Sequence, residues 1–132
     1  MLDGLDDTTQ ATKVLLVEAN RYDEELTLRA LRNHHLAGTV QVARDGAEAL
    51  ECLLDRPELI LLDLRLPKVD GLTVLQCIRG HTRTRDIPVF LLLSSRHDRE
   101  IVDSRRLGAT GCIVKPVDFD NFAQAMRSIG RC

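Results

Sequence analysis

The sequence predicts an α/β fold, a five-stranded parallel sheet covered by helices on both faces, and three observations predict it. Short continuous apolar runs recur: KVLLV from Lys13, LILL from Leu59 and VFLLL from Val89. Runs of this kind suit strands buried on both sides. Between them lie stretches with apolar residues at helical spacing. The two kinds of stretch alternate along 132 residues, a length that suits one domain.

Residues 1–12 (MLDGLDDTTQAT) are acidic, polar and without period, so they are read as a flexible lead-in to a domain over 13–132. The first strand is KVLLV at 13–17, and 18–22 form a loop. Residues 23–33 carry Leu26, Leu28, Ala30 and Leu31 and predict the first helix. After Gly38, residues 39–43 alternate like a strand with one exposed face, as at a sheet edge. Asp45-Gly46 turns into a second helix over 47–54, which stops before Pro57.

The third strand, 59–62, ends at Asp63. Pro67 and the Asp70-Gly71 turn lead to a helix over 72–79 with Leu72, Leu75 and Ile78 inward. Pro88 opens the fourth strand, 89–93. A polar fourth helix is predicted over 98–107, ending at Gly108. Residues 111–114 form a fifth strand, and Asp118 caps a helix over 119–129 with Phe119, Phe122, Ala123, Met126 and Ile129 on one face. Five strand–helix repeats at this length predict the flavodoxin-like order 2-1-3-4-5. In such sheets the functional site lies beyond the carboxyl ends of the strands, at the switch between strands 1 and 3.

Composition narrows the function. The formal net charge is −2 and the basic residues are scattered, which argues against a nucleic-acid partner. The densest basic cluster, 79–85, is short, lacks interleaved aromatics and is read as a solvated helix end and loop. No stretch is long enough to span a membrane, and no basic region precedes an apolar run at the N-terminus. Cys52, Cys77, Cys112 and Cys132 form no C-x-x-C pair. That argues against zinc and against a disulfide framework, and reads as reduced thiols in a cytoplasmic protein.

The predicted strand ends carry chemistry. Glu18 follows strand 1, Asp63 follows strand 3, Ser94 and Ser95 follow strand 4, and Lys115 follows strand 5. An aspartate can attack phosphorus and form an acyl phosphate. The transferring group is highly negative, so the site needs cations: a magnesium held by carboxylates, and a lysine. On this reading Asp63 is the nucleophile and a metal ligand, Glu18 an acidic metal-site residue and Lys115 the phosphate counter-ion.

Residues 13–130 resemble the response-regulator receiver domain of two-component systems throughout. VLLVE at strand 1, ARDGAEAL at the second helix, LILLDLRLPKVDGL around Asp63 and GATGCIVKPVD around Lys115 carry the resemblance. It implies phosphate acceptance on Asp63, with the backbone carbonyl of Arg65 as a further metal ligand. More narrowly, ELTLRAL, ARDGAEAL, the SSR after strand 4 and KPVDF resemble single-domain receivers that serve bacterial phytochrome kinases. The implied partners are a histidine kinase, such as a bacterial phytochrome, or a histidine phosphotransfer protein.

Three positions depart from the family pattern. The two adjacent acids expected after strand 1 read Glu18-Ala19, and Ala19 offers no oxygen, so magnesium binding is expected to be weak. The expected switch hydroxyl at the end of strand 4 falls on Leu93, with Ser94 one residue later and so on the other face. Cys112 stands where the family often has an aromatic that swings inward.

The expected function is a single-domain response regulator that signals by protein–protein contact and is not an enzyme. A homodimer through helices 4 and 5 and strand 5 is expected. Two alternatives stay open. One is a degenerate receiver acting without phosphorylation. The other is a small flavodoxin-like cofactor binder, against which the first loop (EANRYDEE) argues, because it lacks glycine or clustered hydroxyls to cradle a phosphate.

Overall fold

The computed structural model describes residues 13–34, 39–95, 98 and 108–127. The five strands are β1 (Lys13–Val17), β2 (Thr39–Ala43), β3 (Leu59–Asp63), β4 (Val89–Leu93) and β5 (Gly111–Val114). All pair in parallel, in the order β2-β1-β3-β4-β5. β3 and β4 are buried along their whole length, which is why their sequences are unbroken apolar runs. β2 lies at the edge, and its alternating Thr39 and Gln41 are exposed.

Each sheet face has its own core. On one face, Leu15, Val17, Ile60, Leu62, Leu91 and Leu93 pack with Ala49 of α2 (Gly46–Cys52) and Val74, Leu75 and Ile78 of α3 (Gly71–Gly80). On the other, Val14, Leu16, Leu61, Phe90, Leu92 and Ile113 pack with Ala30 and Leu31 of α1 (Arg21–Asn33) and with Phe122 and Ala125 of the helix Phe119–Arg127. A short 3-10 turn, Leu53–Asp55, extends α2. The fourth helix predicted over 98–107 lies outside the described residues, apart from Asp98.

The helices start where side chains can satisfy their first free amides. Asn20 accepts from the Asp23 N–H at 2.9 Å, so α1 begins two residues before the sequence suggested. Asp45, Asp70 and Asp118 do the same for Glu48, Thr73 and Asn121. Gly71 opens α3 against the acceptor strand, and a Cβ there would run into the carbonyl oxygen of Asp63. This close approach sets the loop after β3.

Two readings of the sequence need correction. Arg79 is not a solvated helix end. Its guanidinium donates to the carbonyls of Gly108 at 2.9 Å, Arg85 at 3.0 Å and Ile87 at 2.8 Å, tying α3 to the segments before β4 and before β5. Five rigid donors suit a site with several orphan carbonyls. The cysteines are not all reduced thiols either. Cys52 and Cys77 are free, but Cys112 is disulfide-bonded, to a partner outside the described residues.

Candidate phosphoacceptor site

The carboxyl edge of the sheet gathers charge. Asp63 is the last residue of β3 and Glu18 the first after β1, and both are buried. Lys115 follows β5, anchored by its N–H to the Leu93 carbonyl at 2.7 Å, and its bond to Pro116 is cis. Its Nζ lies 2.9 Å from Asp63 Oδ2 and 2.9 Å from Glu18 Oε1. Asp23, in the first turn of α1, joins them: its Oδ2 is 3.2 Å from the same ammonium. Sequence reasoning brought Glu18, Asp63 and Lys115 to this edge and missed Asp23.

The electrostatics follow from burial. Desolvation pushes the Glu18 carboxyl up to about 7, and the neighbouring Asp63 adds to this, while Lys115 opposes it. Burial alone would lower the Lys115 ammonium. The carboxylates of Asp63 and Glu18 outweigh it and hold Lys115 above the ordinary lysine range. The lysine is therefore a fixed positive charge beside the Asp63 carboxylate.

Asp63 Oδ1 accepts the backbone N–H of Arg65 at 3.1 Å. The Arg65 side chain reaches across to Asp98, 2.6 Å between Nη2 and Oδ1. Asp98 is fully buried and its Oδ2 accepts the Ser94 N–H at 2.9 Å. Arg65 and Asp98 thus link the loop after β3 to the loop after β4. Neither Asp98 nor this link was anticipated from the sequence.

The residues fit a divalent cation. The donors are all hard oxygens, the kind magnesium takes. Glu18 is buried and held on both oxygens: Oε1 pairs with Lys115 Nζ at 2.9 Å, and Oε2 accepts from Lys115 Nζ at 3.1 Å and from the Asn20 N–H at 3.2 Å. Among the described residues no three acidic, histidine or cysteine side chains stand as a ready metal cage. The three carboxylates close on the lysine instead.

The positions expected to switch are Leu93, Ser94 and Cys112. Leu93 is fully buried in the core beneath α2 and α3, and Cys112 sits in the same core. Ser94 lies one residue past β4 and is exposed. No hydroxyl replaces the one that Leu93 lacks within the strand.

A family model for the response regulator receiver domain matches residues 14–127. The chain belongs to the response regulator receiver family. Receiver domains of this kind serve two-component signalling and bind magnesium. The receiver is similar to the solved bacteriophytochrome response regulator AtBRR: 47% identity, TM-score 0.83, with 91% of this chain and 93% of that one covered. It is similar to bacteriophytochrome response regulator RtBRR at 44% identity and TM-score 0.84, over 91% of this chain and 78% of that one. The Mn(2+)-bound form of response regulator Rcp1 is 30% identical, with TM-score 0.73 over 88% and 90% of the two chains. Some curated relatives are longer: the chain spans 42% of one and 51% of another. Among the described residues no helix is long and apolar enough to cross a membrane.

Proposed function

We propose that this receiver accepts a phosphoryl group on Asp63 and signals as a single-domain response regulator by protein–protein contact. The observation that carries the reading is the 2.9 Å pair between Lys115 Nζ and Asp63 Oδ2, buried at the switch between β1 and β3. An Asp63 carboxylate oxygen attacks phosphorus, the new O–P bond replaces the P–N bond of a phosphohistidine or the P–O bond of a small donor, and the leaving group departs with the electron pair. Lys115 meets the oxygens of the arriving group, and the Arg65 N–H, already aimed at Asp63, is a ready donor. Glu18, Asp63 and the Arg65 carbonyl would hold magnesium, which supplies charge neutralisation of the transferring group.

The donor is a histidine kinase of the bacterial phytochrome kind or a histidine phosphotransfer protein, by similarity to AtBRR and RtBRR. The setting is cytoplasmic and the protein is not an enzyme in its own right. Domain bounds of 13–132 are proposed, against a family match over 14–127. A homodimer over β5 and the flanking helices is also proposed, and light scattering at tens of micromolar that returned a monomer would refute it. Incubation with a small phosphodonor and magnesium, followed by intact mass measurement, tests the acceptor assignment. One phosphoryl group is expected on the wild type and none on Asp63→Asn. Transfer that survives the substitution would sink it.

A further inference from the structure

A cavity lies at the other end of the molecule from Asp63. Residues 50–56 end α2 and its 3-10 extension, and residues 77–84 end α3 and lead towards β4. In a parallel sheet the helices run back against the strands, so both stretches lie at the amino edge. Between them is a cavity of about 350 Å³. That is the scale of a small-molecule site, not of an interface with a folded partner. Leu50, Leu53 and Cys77 give it an apolar lining, and Leu54 also borders it while 84% exposed.

One wall is held in place before any ligand arrives. The Arg79 guanidinium grips the carbonyls of Arg85 and Ile87. Thr84 is buried, and its hydroxyl donates to the Ile78 carbonyl at 2.8 Å. The N–H groups of Thr84 and Arg85 both donate to the His81 carbonyl, at 3.1 and 2.8 Å. A wall fixed in this way saves a ligand the cost of ordering it.

The charge around the cavity has one sign. Arg56, His81 and Arg83 border it, and among the described residues no carboxylate does. Neither arginine has an ion-pair partner among those residues. Arg56 also holds a φ of 51°, in the left-handed region where a helix end ordinarily takes glycine. The strained backbone thus carries a guanidinium at the cavity where an easier residue would carry nothing.

We propose that this cavity binds a small amphiphilic anion, an organic carboxylate with an aliphatic body. The body lies along Leu50, Leu53 and Cys77, and the head is met by Arg56 and Arg83, whose planar forks match a carboxylate. The site is at the opposite sheet edge from Asp63, so this reading and the acceptor reading stand or fall separately.

Octanoate is the probe, with octanol as its uncharged twin, each titrated into the full chain and followed by amide chemical shifts. Octanoate should bind saturably at millimolar concentrations, with shifts concentrated in residues 50–56 and 77–84. Octanol should bind about fivefold more weakly. Arg56→Gly relieves the left-handed backbone, so it should melt at a higher temperature than wild type. It should nevertheless bind octanoate about twofold to fivefold more weakly, the scale of one exposed ion pair. Leu54→Asp, at an exposed position that folding does not need, should weaken octanoate at least as much. Octanoate should also slow iodoacetamide alkylation of Cys77 and leave Cys52, which does not line the cavity, unchanged in peptide masses. No saturable octanoate binding, equal affinity for octanol, or unchanged affinity in folded Arg56→Gly and Leu54→Asp would overturn the proposal. Shifts in the same residues that grow with protein concentration alone would assign the cavity to a second copy of the chain and overturn it too.

Discussion

Glu18, Asp23, Asp63 and Lys115 form an ionic cluster at the centre of the sheet's carboxyl edge, whereas Leu93 and Cys112, one and two strands away, lie in an apolar core. The two regions share a scaffold and register: Asp63 pairs with Leu92, and Leu93 with Val114. On the proposed function, the centre keeps the groups that phosphoryl transfer needs. The flank lacks the groups that would report the transfer, because Leu93 makes no differential contact with a phosphoryl oxygen. A ligand with no differential contact cannot shift an equilibrium through that element. Cys112 adds to this: it is small and held in a disulfide. On the proposed function, acceptor chemistry and relay are therefore separable parts of one fold.

The largest expected effect falls on the centre. Lys115→Ala leaves Glu18, Asp23 and Asp63 facing one another without a cation. Breaking a buried ion pair on one side costs on the order of 3–5 kcal/mol. Urea unfolding should show a loss of that size, with phosphorylation abolished in the intact mass. Wild-type stability in Lys115→Ala would mean that the carboxylates take up protons and that the cluster is not held by charge.

At the flank, Leu93→Thr should cost about 2–4 kcal/mol, because it opens space in a packed core and buries a hydroxyl. It should also lengthen the reach of the signal. With the hydroxyl present, phosphoryl-mimic binding at Asp63 should change amide exchange in β5, which it should leave alone in the wild type. A folded Leu93→Thr with no such change would show that a hydroxyl is not the missing part.

Much of this was legible in the sequence, and the exceptions have physical reasons. The strands were readable because five-residue apolar runs bounded by polar residues suit few other elements. Asp63, Glu18 and Lys115 were readable because each follows a strand directly. Asp23 was not, because an acid in a helix's first turn is ordinarily explained by the helix dipole. The usable signal was that α1 begins at the functional edge, so its first turn faces the site. Arg79 was misjudged because its carbonyl partners lie in loops, two of them just beyond α3 and one before β5, and no local pattern marks them. The disulfide at Cys112 was not foreseen because spacing does not encode pairing.

A smaller effect sharpens the electrostatics of the centre. Burial holds the Glu18 carboxyl up at about 7, above its ordinary 4.5, so the folded state binds that proton more tightly than the unfolded state. The stabilising contribution is complete below 4.5 and is lost as pH rises through 7. Glu18→Gln removes the titration. In chelator it should gain on wild type between these limits, by on the order of 1–3 kcal/mol. Parallel stability curves for the two proteins would show that Lys115 already keeps Glu18 charged at low pH.

The separation of acceptor from relay is tested most directly by amide hydrogen exchange on the wild type with and without beryllofluoride and magnesium, ligand occupancy being confirmed in the same sample. Protection should rise around Asp63–Arg65 and at Lys115, where the ligand's charge is met, and exchange across Gly111–Val114 should stay as it is. Protection changes in Gly111–Val114 as large as those at Asp63 would contradict the account and show that this receiver relays through a switch other than Leu93 and Cys112.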